Sequence, residues 1–109
     1  MLFKETPIFT RLISELMSDD EYRELQKFLH EHPDSGVLIP GGGGVRKIRW
    51  SGSGRGKRGG TRIIYYWNVP DWLYMLLAFK KNETDNLPFR QLQVVRRIAE
   101  EWRNEQKKL

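Results

Sequence analysis

Lysine and arginine are the residues through which this chain can do chemistry. Val45 to Trp50 (VRKIRW) and Thr61 to Asn68 (TRIIYYWN) read as two strands, and side chains along a strand alternate between faces. Lys47 and Arg49 therefore share one face of the first strand, and Arg62, Ile64 and Tyr66 share one face of the second. If the two pair as a hairpin, Lys47, Arg49, Arg62 and Tyr66 lie together. The loop between them, SGSGRGKRGG, adds Arg55, Lys57 and Arg58. Lys80 and Lys81 end the next apolar run, while Arg46 points the other way with Ile48 and Trp50. Like charges on one sheet face repel, so the cluster calls for an anion, and its natural ligand is a phosphate backbone. Cleavage of RNA by its own 2′-hydroxyl needs a base, charge stabilisation at the phosphorane and an acid for the leaving 5′-oxygen. Arginine suits phosphate in bidentate fashion, and a lysine set among cations has its pKa lowered toward use as acid or base. On these grounds a phosphate-binding surface and a nuclease site are equally supported.

Other motifs carry less. Gly54-x-Gly56-x-x-Gly59 has the letters of a dinucleotide fingerprint, but that motif must open a helix, and here a strand follows. His30 and His32 are two residues apart, do not share a helix face, and fit a helix end, where a cation meets the dipole favourably. The serines have no nucleophile context. Trp67, Trp72 and Trp102 read as core or sheet-face residues. There is no cysteine, which excludes disulfides and thiolate metal sites; no cofactor is implied.

The elements that must position the cluster follow from pattern. Residues 2–6 alternate and read as a first strand. Thr6-Pro7 is a helix start, followed by Ile8, Phe9, Leu12, Ile13 and Leu16 at helical spacing. Ser18-Asp-Asp-Glu21 is a capping box with Met17 and Tyr22 as a staple. It opens a second helix that ends near His32-Pro33. Residues 33–44, with four consecutive glycines, read as turns. Trp72 to Phe79 is apolar on both faces and belongs inside the sheet. A last helix begins near Pro88, with Leu92, Val95, Ile98, Ala99 and Trp102 as its stripe and a frayed polar tail. The order is β-α-α-β-β-β-α: α+β, a small antiparallel meander with an N-terminal αα-hairpin and a C-terminal helix.

The whole chain, 109 residues with 39% hydrophobic and 30% charged side chains, fits one globular domain, 1–109. The net charge is +5, but its distribution says more. Residues 1–40 sum to −4, residues 41–81 to +8 and residues 82–109 to +1. Trp72–Phe79 is too short to span a membrane, and the N-terminus has no signal-peptide apolar region. The expected setting is a reducing cytoplasm.

The run GGGGVRKIRWSGSGRGKRGGTRIIYYW, then LLAFKKNE and AEEWRNEQ, resembles the HigB-type toxins of the RelE/ParE toxin superfamily over essentially the whole chain. RKIR, GKRGGTRIIYY and KNE are its most specific pieces. The resemblance implies a RelE-like α+β fold and a bacterial toxin that cuts mRNA in the ribosomal A site. It implies a metal-independent endoribonuclease acting through 2′-OH attack, with basic residues and a tyrosine in place of a histidine pair. It implies a cognate helix-turn-helix antitoxin, with a hetero-tetramer as one arrangement. It places Lys47, Arg49, Arg62 and Lys81 at catalytic positions. Arg46, Arg55, Lys57, Arg58, Lys80, Tyr66 and Asn82 are then expected to bind RNA or ribosome. Asn82 stands where RelE has a catalytic arginine, no tyrosine follows in the last segment, and Tyr66 is the substitute phenol. The rival readings are a ParE-like gyrase poison, a class that generally lacks the basic cluster, and a non-catalytic RNA-binding module.

Overall fold

The computed structural model describes residues 2–50, 60–68, 72–80 and 87–107. Among them run β1 (Leu2–Glu5), α1 (Pro7–Leu16), α2 (Asp19–Glu31), β2 (Val37–Leu38), β3 (Val45–Trp50), β4 (Thr61–Asn68), β5 (Trp72–Lys80) and α3 (Phe89–Lys107). The strands make a five-stranded sheet in the order β1-β5-β4-β3-β2. The class is α+β, and the expected helices and meander are present. The loop 51–59, the turn 69–71 and the segment 81–86 lie outside the described residues.

The helix starts form for the local reasons the sequence carries. Thr6 is the N-cap of α1, and its Oγ1 accepts from the Phe9 amide at 3.0 Å, with Pro7 in the first turn. Ser18 and Glu21 form a reciprocal capping box at α2, satisfying amides that a helix leaves open. Met17 and Tyr22, the staple residues, both pack against the core beneath the hairpin.

Thr6 does more than cap. Its amide donates to Met75 O at 3.0 Å, and its hydroxyl donates to Leu76 O at 2.9 Å. The start of α1 is thus pinned to β5 across the sheet edge. Leu76 is the extra residue of a β-bulge: Ile64 pairs with Leu77 and Tyr65 with Met75. An unpaired bulge residue bends its strand. Here Leu76 and Leu77 both join the same core, and the Leu76 carbonyl receives the threonine.

Two expectations need correction. The sheet is mixed rather than antiparallel throughout, because β1 runs parallel to β5, Leu2 opposite Trp72 through Glu5 opposite Met75. Short turns fix direction only for strands they join, β3 to β5. The direction of β1 is set by α1, which leaves it across the sheet. The tail is also not frayed at 103: α3 stays helical to Lys107, since Trp102 is buried and anchors those turns.

The segment 33–44, whose sequence reads as turns, also contains a strand. β2 pairs antiparallel with β3, Val37 opposite Lys47 and Leu38 opposite Arg46. Tyr65 on β4 holds the approach to it. Its hydroxyl accepts from the Gly36 amide at 2.8 Å and donates to Pro33 O at 2.7 Å. A Cβ on Gly36 would meet that ring at 2.7 Å, so the position requires glycine.

The sheet carries a core on each side. Phe9, Ile13, Leu25, Leu29, Ile63, Tyr65, Leu73, Met75 and Ala78 pack under the αα-hairpin. Val45, Ile64, Tyr66, Leu76, Val95, Ala99 and Trp102 pack under α3. β4, buried from Thr61 to Tyr66, is the central strand between them.

Thr6→Ala is expected to lower unfolding free energy by about 2 kcal/mol, one cap plus one buried hydrogen bond. Thr6→Ser, which keeps the hydroxyl, should lose much less. Urea denaturation of both variants checks this, and equal losses would locate the effect elsewhere. A second expectation concerns alkali. Burial, and then the Glu5 carboxylate that accepts its hydroxyl proton, hold the Tyr22 phenol above its ordinary value of 10.0. The unfolded chain ionises first, so this contribution is intact below pH about 10 and declines above it. The decline should be shallower in Tyr22→Phe.

Candidate nucleic-acid interface

The β3–β4 register decides which cations meet. Val45 lies opposite Tyr66, Lys47 opposite Ile64, and Arg49 opposite Arg62. Val45, Ile64 and Tyr66 belong to the α3-side core. Lys47, Arg49 and Arg62 therefore sit on that same sheet face, as strand alternation predicts. Directly opposite residues in an antiparallel pair have Cβ atoms about 5 Å apart, where like charges are destabilising. Two arginines occupy such a pair, with Lys47 two residues along from one of them.

The three differ in depth. Arg49 is exposed and Lys47 half-buried, while Arg62 is 2% exposed; Lys47 and Arg62 are both engaged within the protein. Lys47 also lines a shallow hollow with Val37, Leu38, Ile39, Pro40 and Leu87. The face thus offers an accessible arginine above a buried one, with a lysine between them and the β2 edge. Such an arrangement can hold an anion by charge and by paired guanidinium hydrogen bonds.

Tyr66 shares the face but not the site. Its ring is 6% exposed and meets Trp102 edge-on at 6.2 Å. The Arg103 guanidinium lies 5.4 Å from its centre. Four residues from Arg62 along the strand, it stands roughly 13 Å away at the usual strand rise. The phenol is therefore a core and turn-packing group. Beside it the glycines at 41–44 turn the chain into β3. Gly41, Gly43 and Gly44 have φ of 74°, 67° and 100°, where a side chain is costly. Arg96 Nη1 donates to Gly41 O at 3.2 Å, so α3 holds this turn. These roles of Arg96 and Arg103 were not read from sequence, since only the α3 packing reveals them.

Arg46 and Lys80 lie on the opposite face. Arg46 donates through Nη1 to Asp34 O at 3.0 Å and to Gly36 O at 2.8 Å, and lies 6.0 Å from the Trp67 ring centre. It clamps the 33–36 turn. Lys80 pairs with Thr61 and borders a hollow with Leu12, Glu15, Leu16, Ala78 and Phe79. The structure therefore brings Lys47, Arg49 and Arg62 together and separates Arg46 and Lys80 from them. Arg55, Lys57, Arg58, Lys81 and Asn82 lie outside the described residues.

Residues 8–109 match the family described as RelE toxin of RelE / RelB toxin-antitoxin system. The chain belongs to the RelE toxin family. Its role is that of the toxin in a toxin–antitoxin pair, and an antitoxin is its implied partner. The match covers both strands that carry the Arg49–Arg62 pair and both helical layers that hold them. No described helix is long and apolar enough to cross a membrane.

If this RelE-family face receives a polynucleotide, Arg49→Ala should weaken binding of a single-stranded RNA. It should also flatten the plot of log affinity against log salt by about 0.7, one phosphate contact. Arg46→Ala should leave that slope unchanged while lowering the urea midpoint. Filter binding across salt concentrations checks both. An unchanged slope in Arg49→Ala would remove it from the interface.

Proposed function

We propose that this RelE-family toxin is a ribosome-dependent endoribonuclease of the HigB type, cutting mRNA in the ribosomal A site and thereby arresting translation in the bacterial cytoplasm. The observation that carries the reading is the cross-strand Arg49–Arg62 pair with Lys47 on one sheet face, in a chain of this family. A row of cations held by paired strands is preorganised for a phosphate whose negative charge grows during reaction.

In the proposed step the 2′-oxygen attacks the adjacent phosphorus. The 2′-O–P bond forms and the P–O5′ bond breaks, leaving a 2′,3′-cyclic phosphate and a 5′-hydroxyl. The 2′-hydroxyl proton goes to a base, and the 5′-oxygen takes a proton from an acid. Arg49 and Lys47 meet the scissile phosphate from the open side, and Arg62 supplies fixed positive charge from within the sheet. Lys81, adjoining Lys80 at the end of β5, takes acid–base or charge-stabilising work. Arg55, Lys57, Arg58 and Asn82 bind RNA backbone or ribosome, and Lys80, on the opposite face, is left to a ribosome contact. The geometry gives no support to Tyr66 as a proton donor or to Arg46 as an RNA contact. A helix-turn-helix antitoxin, in a hetero-tetramer with the toxin, silences the activity.

The test is induced expression in a growing culture. The expected result is growth arrest with translation stopping before any DNA-damage response, and mRNA cut within translated codons. In a reconstituted translating ribosome, Arg62→Ala should slow cleavage about 10²–10³-fold, the usual cost of one charge-stabilising group, with folding confirmed by circular dichroism. A DNA-damage response that comes first would instead mark a gyrase poison. Salt-sensitive RNA binding without cleavage on translating ribosomes would mark a binding module.

A further inference from the structure

β1 is the last strand at its side of the described sheet. Leu2 is 54% exposed, Lys4 is exposed, and Phe3 and Glu5 are half-buried. The bonds to β5 fix which backbone groups face outward. The Thr6 amide donates to Met75 O at 3.0 Å, and the parallel register runs from Leu2 opposite Trp72 to Glu5 opposite Met75. Along a strand the backbone groups of successive residues point alternately to one neighbour and to the other. Thr6, Lys4 and Leu2 thus bond to β5, and the N–H and C=O of Phe3 and Glu5 point away from the sheet. Such an edge is a template for pairing with another chain. The side chains alternate too. Phe3 packs against the core under the αα-hairpin, and Glu5, on that side, accepts from the Tyr22 and Thr10 hydroxyls. Leu2 and Lys4 lie on the α3 side, where the Lys4 ammonium stands 5.8 Å from the centre of the Tyr74 ring.

Charge decides what can meet this edge. Over residues 2–17, Lys4 and Arg11 balance Glu5 and Glu15, a net of zero. Two copies joined at β1 hold their β3 strands seven strand spacings apart, roughly 34 Å. That is several times the Debye length of about 8 Å at physiological salt, so their basic rows do not keep them apart. The strand also pairs with itself in one register. In a two-fold antiparallel pair the outward-bonding Phe3 must face an outward-bonding residue, either Phe3 or Glu5 of the other copy. Phe3 opposite Glu5 sets Lys4 directly opposite Lys4, where like charges are destabilising. Phe3 opposite Phe3 sets Leu2 opposite Lys4. Each lysine stem then covers an exposed leucine, and the two phenylalanine side chains stand next to each other on the hairpin side.

We infer that β1 is a self-association edge, to which a second copy of the chain adds its own β1 antiparallel, Phe3 opposite the partner's Phe3, making one continuous sheet about a two-fold axis normal to it. With the axis normal to the sheet, both hairpins lie on one side and both basic rows face the other, open to a polyanion. Two such short strands bury less than the roughly 1,200 Å² of a stable complex, so the dimer is weak and forms as concentration rises. The inference rests on the geometry and charge of β1 and is independent of the nuclease reading.

The test is sedimentation equilibrium of the full chain over a concentration series, with charge variants at the exposed Leu2. Leu2→Glu sets a carboxylate opposite the partner's Lys4 twice in each dimer and should tighten association at least about threefold, while Leu2→Lys should loosen it by as much. The chain has no native cysteine, so introduced cysteines report the register. Facing residues that do not exchange hydrogen bonds have Cα atoms about 4.5 Å apart, within disulfide reach. A mixture of Leu2→Cys and Lys4→Cys chains should therefore cross-link under mild oxidation. Lys4→Cys alone should not, since its two Cα atoms lie diagonally, beyond about 7 Å. A chain that stays monomeric throughout the series, equal association of Leu2→Glu and Leu2→Lys, or cross-linking of Lys4→Cys to itself as fast as to Leu2→Cys would each overturn the inference.

Discussion

The pairing register of β3 with β4 is the constraint on which everything else hangs. Because side chains alternate, a slip of one residue would exchange the two faces of β3. Ile48 and Trp50 would leave the core beneath the αα-hairpin, and Lys47 and Arg49 would enter it. The fold holds the register from three sides. Tyr65 reaches through to Pro33 and Gly36 and fixes the chain entering β2. The glycine turn at 41–44, held by Arg96, fixes the chain entering β3. Tyr66 packs under Trp102, which also touches the rings of Trp72 and Tyr74. The position of the basic row is thus a product of core packing far more than of the charges themselves.

The arrangement also separates charge in space. The αα-hairpin, with the acidic first turn of α2, covers one side of the sheet, while Lys47, Arg49 and Arg62 face the other. Such asymmetry orients a polyanion before contact. Three of the cations behind the +8 over residues 41–81 are thereby gathered on one face. In the cation pair, Arg49 keeps its exposure and the buried Arg62 is engaged within the protein, as a buried charge requires.

Features encoded over a few residues were legible in the sequence. The Thr6 and Ser18 caps, the three long strands and the last helix follow from local chemistry that survives folding unchanged. What escaped depends on partners distant in sequence. The parallel pairing of β1 has no turn to announce it. β2 is too short to show a period and exists because Tyr65 and Arg46 hold its approach. For the site, strand alternation grouped Lys47, Arg49 and Arg62 correctly. Alternation already sets Arg46 apart with Ile48 and Trp50, and its charge alone makes it a candidate RNA contact. Lys80 was grouped by position at a strand end, although it alternates with Ala78 onto the hairpin side. Tyr66 was legible as a same-face residue, but its burial depends on Trp102, Arg103 and Gly44, which only the folded chain assembles around it.

The pairing of β1 with β5 bears on how the molecule comes into being. Leu2 waits for Trp72, and Thr6 for the carbonyl of Leu76, 70 residues later. Contacts of such separation form slowly and late. A chain emerging N-terminus first can make its helical hairpin early, but the sheet edge that hairpin should seal does not exist until most of the polypeptide has been synthesised. Completion of the fold is thereby delayed until β5 has been synthesised, and until then the N-terminal elements of a growing chain wait without their sheet.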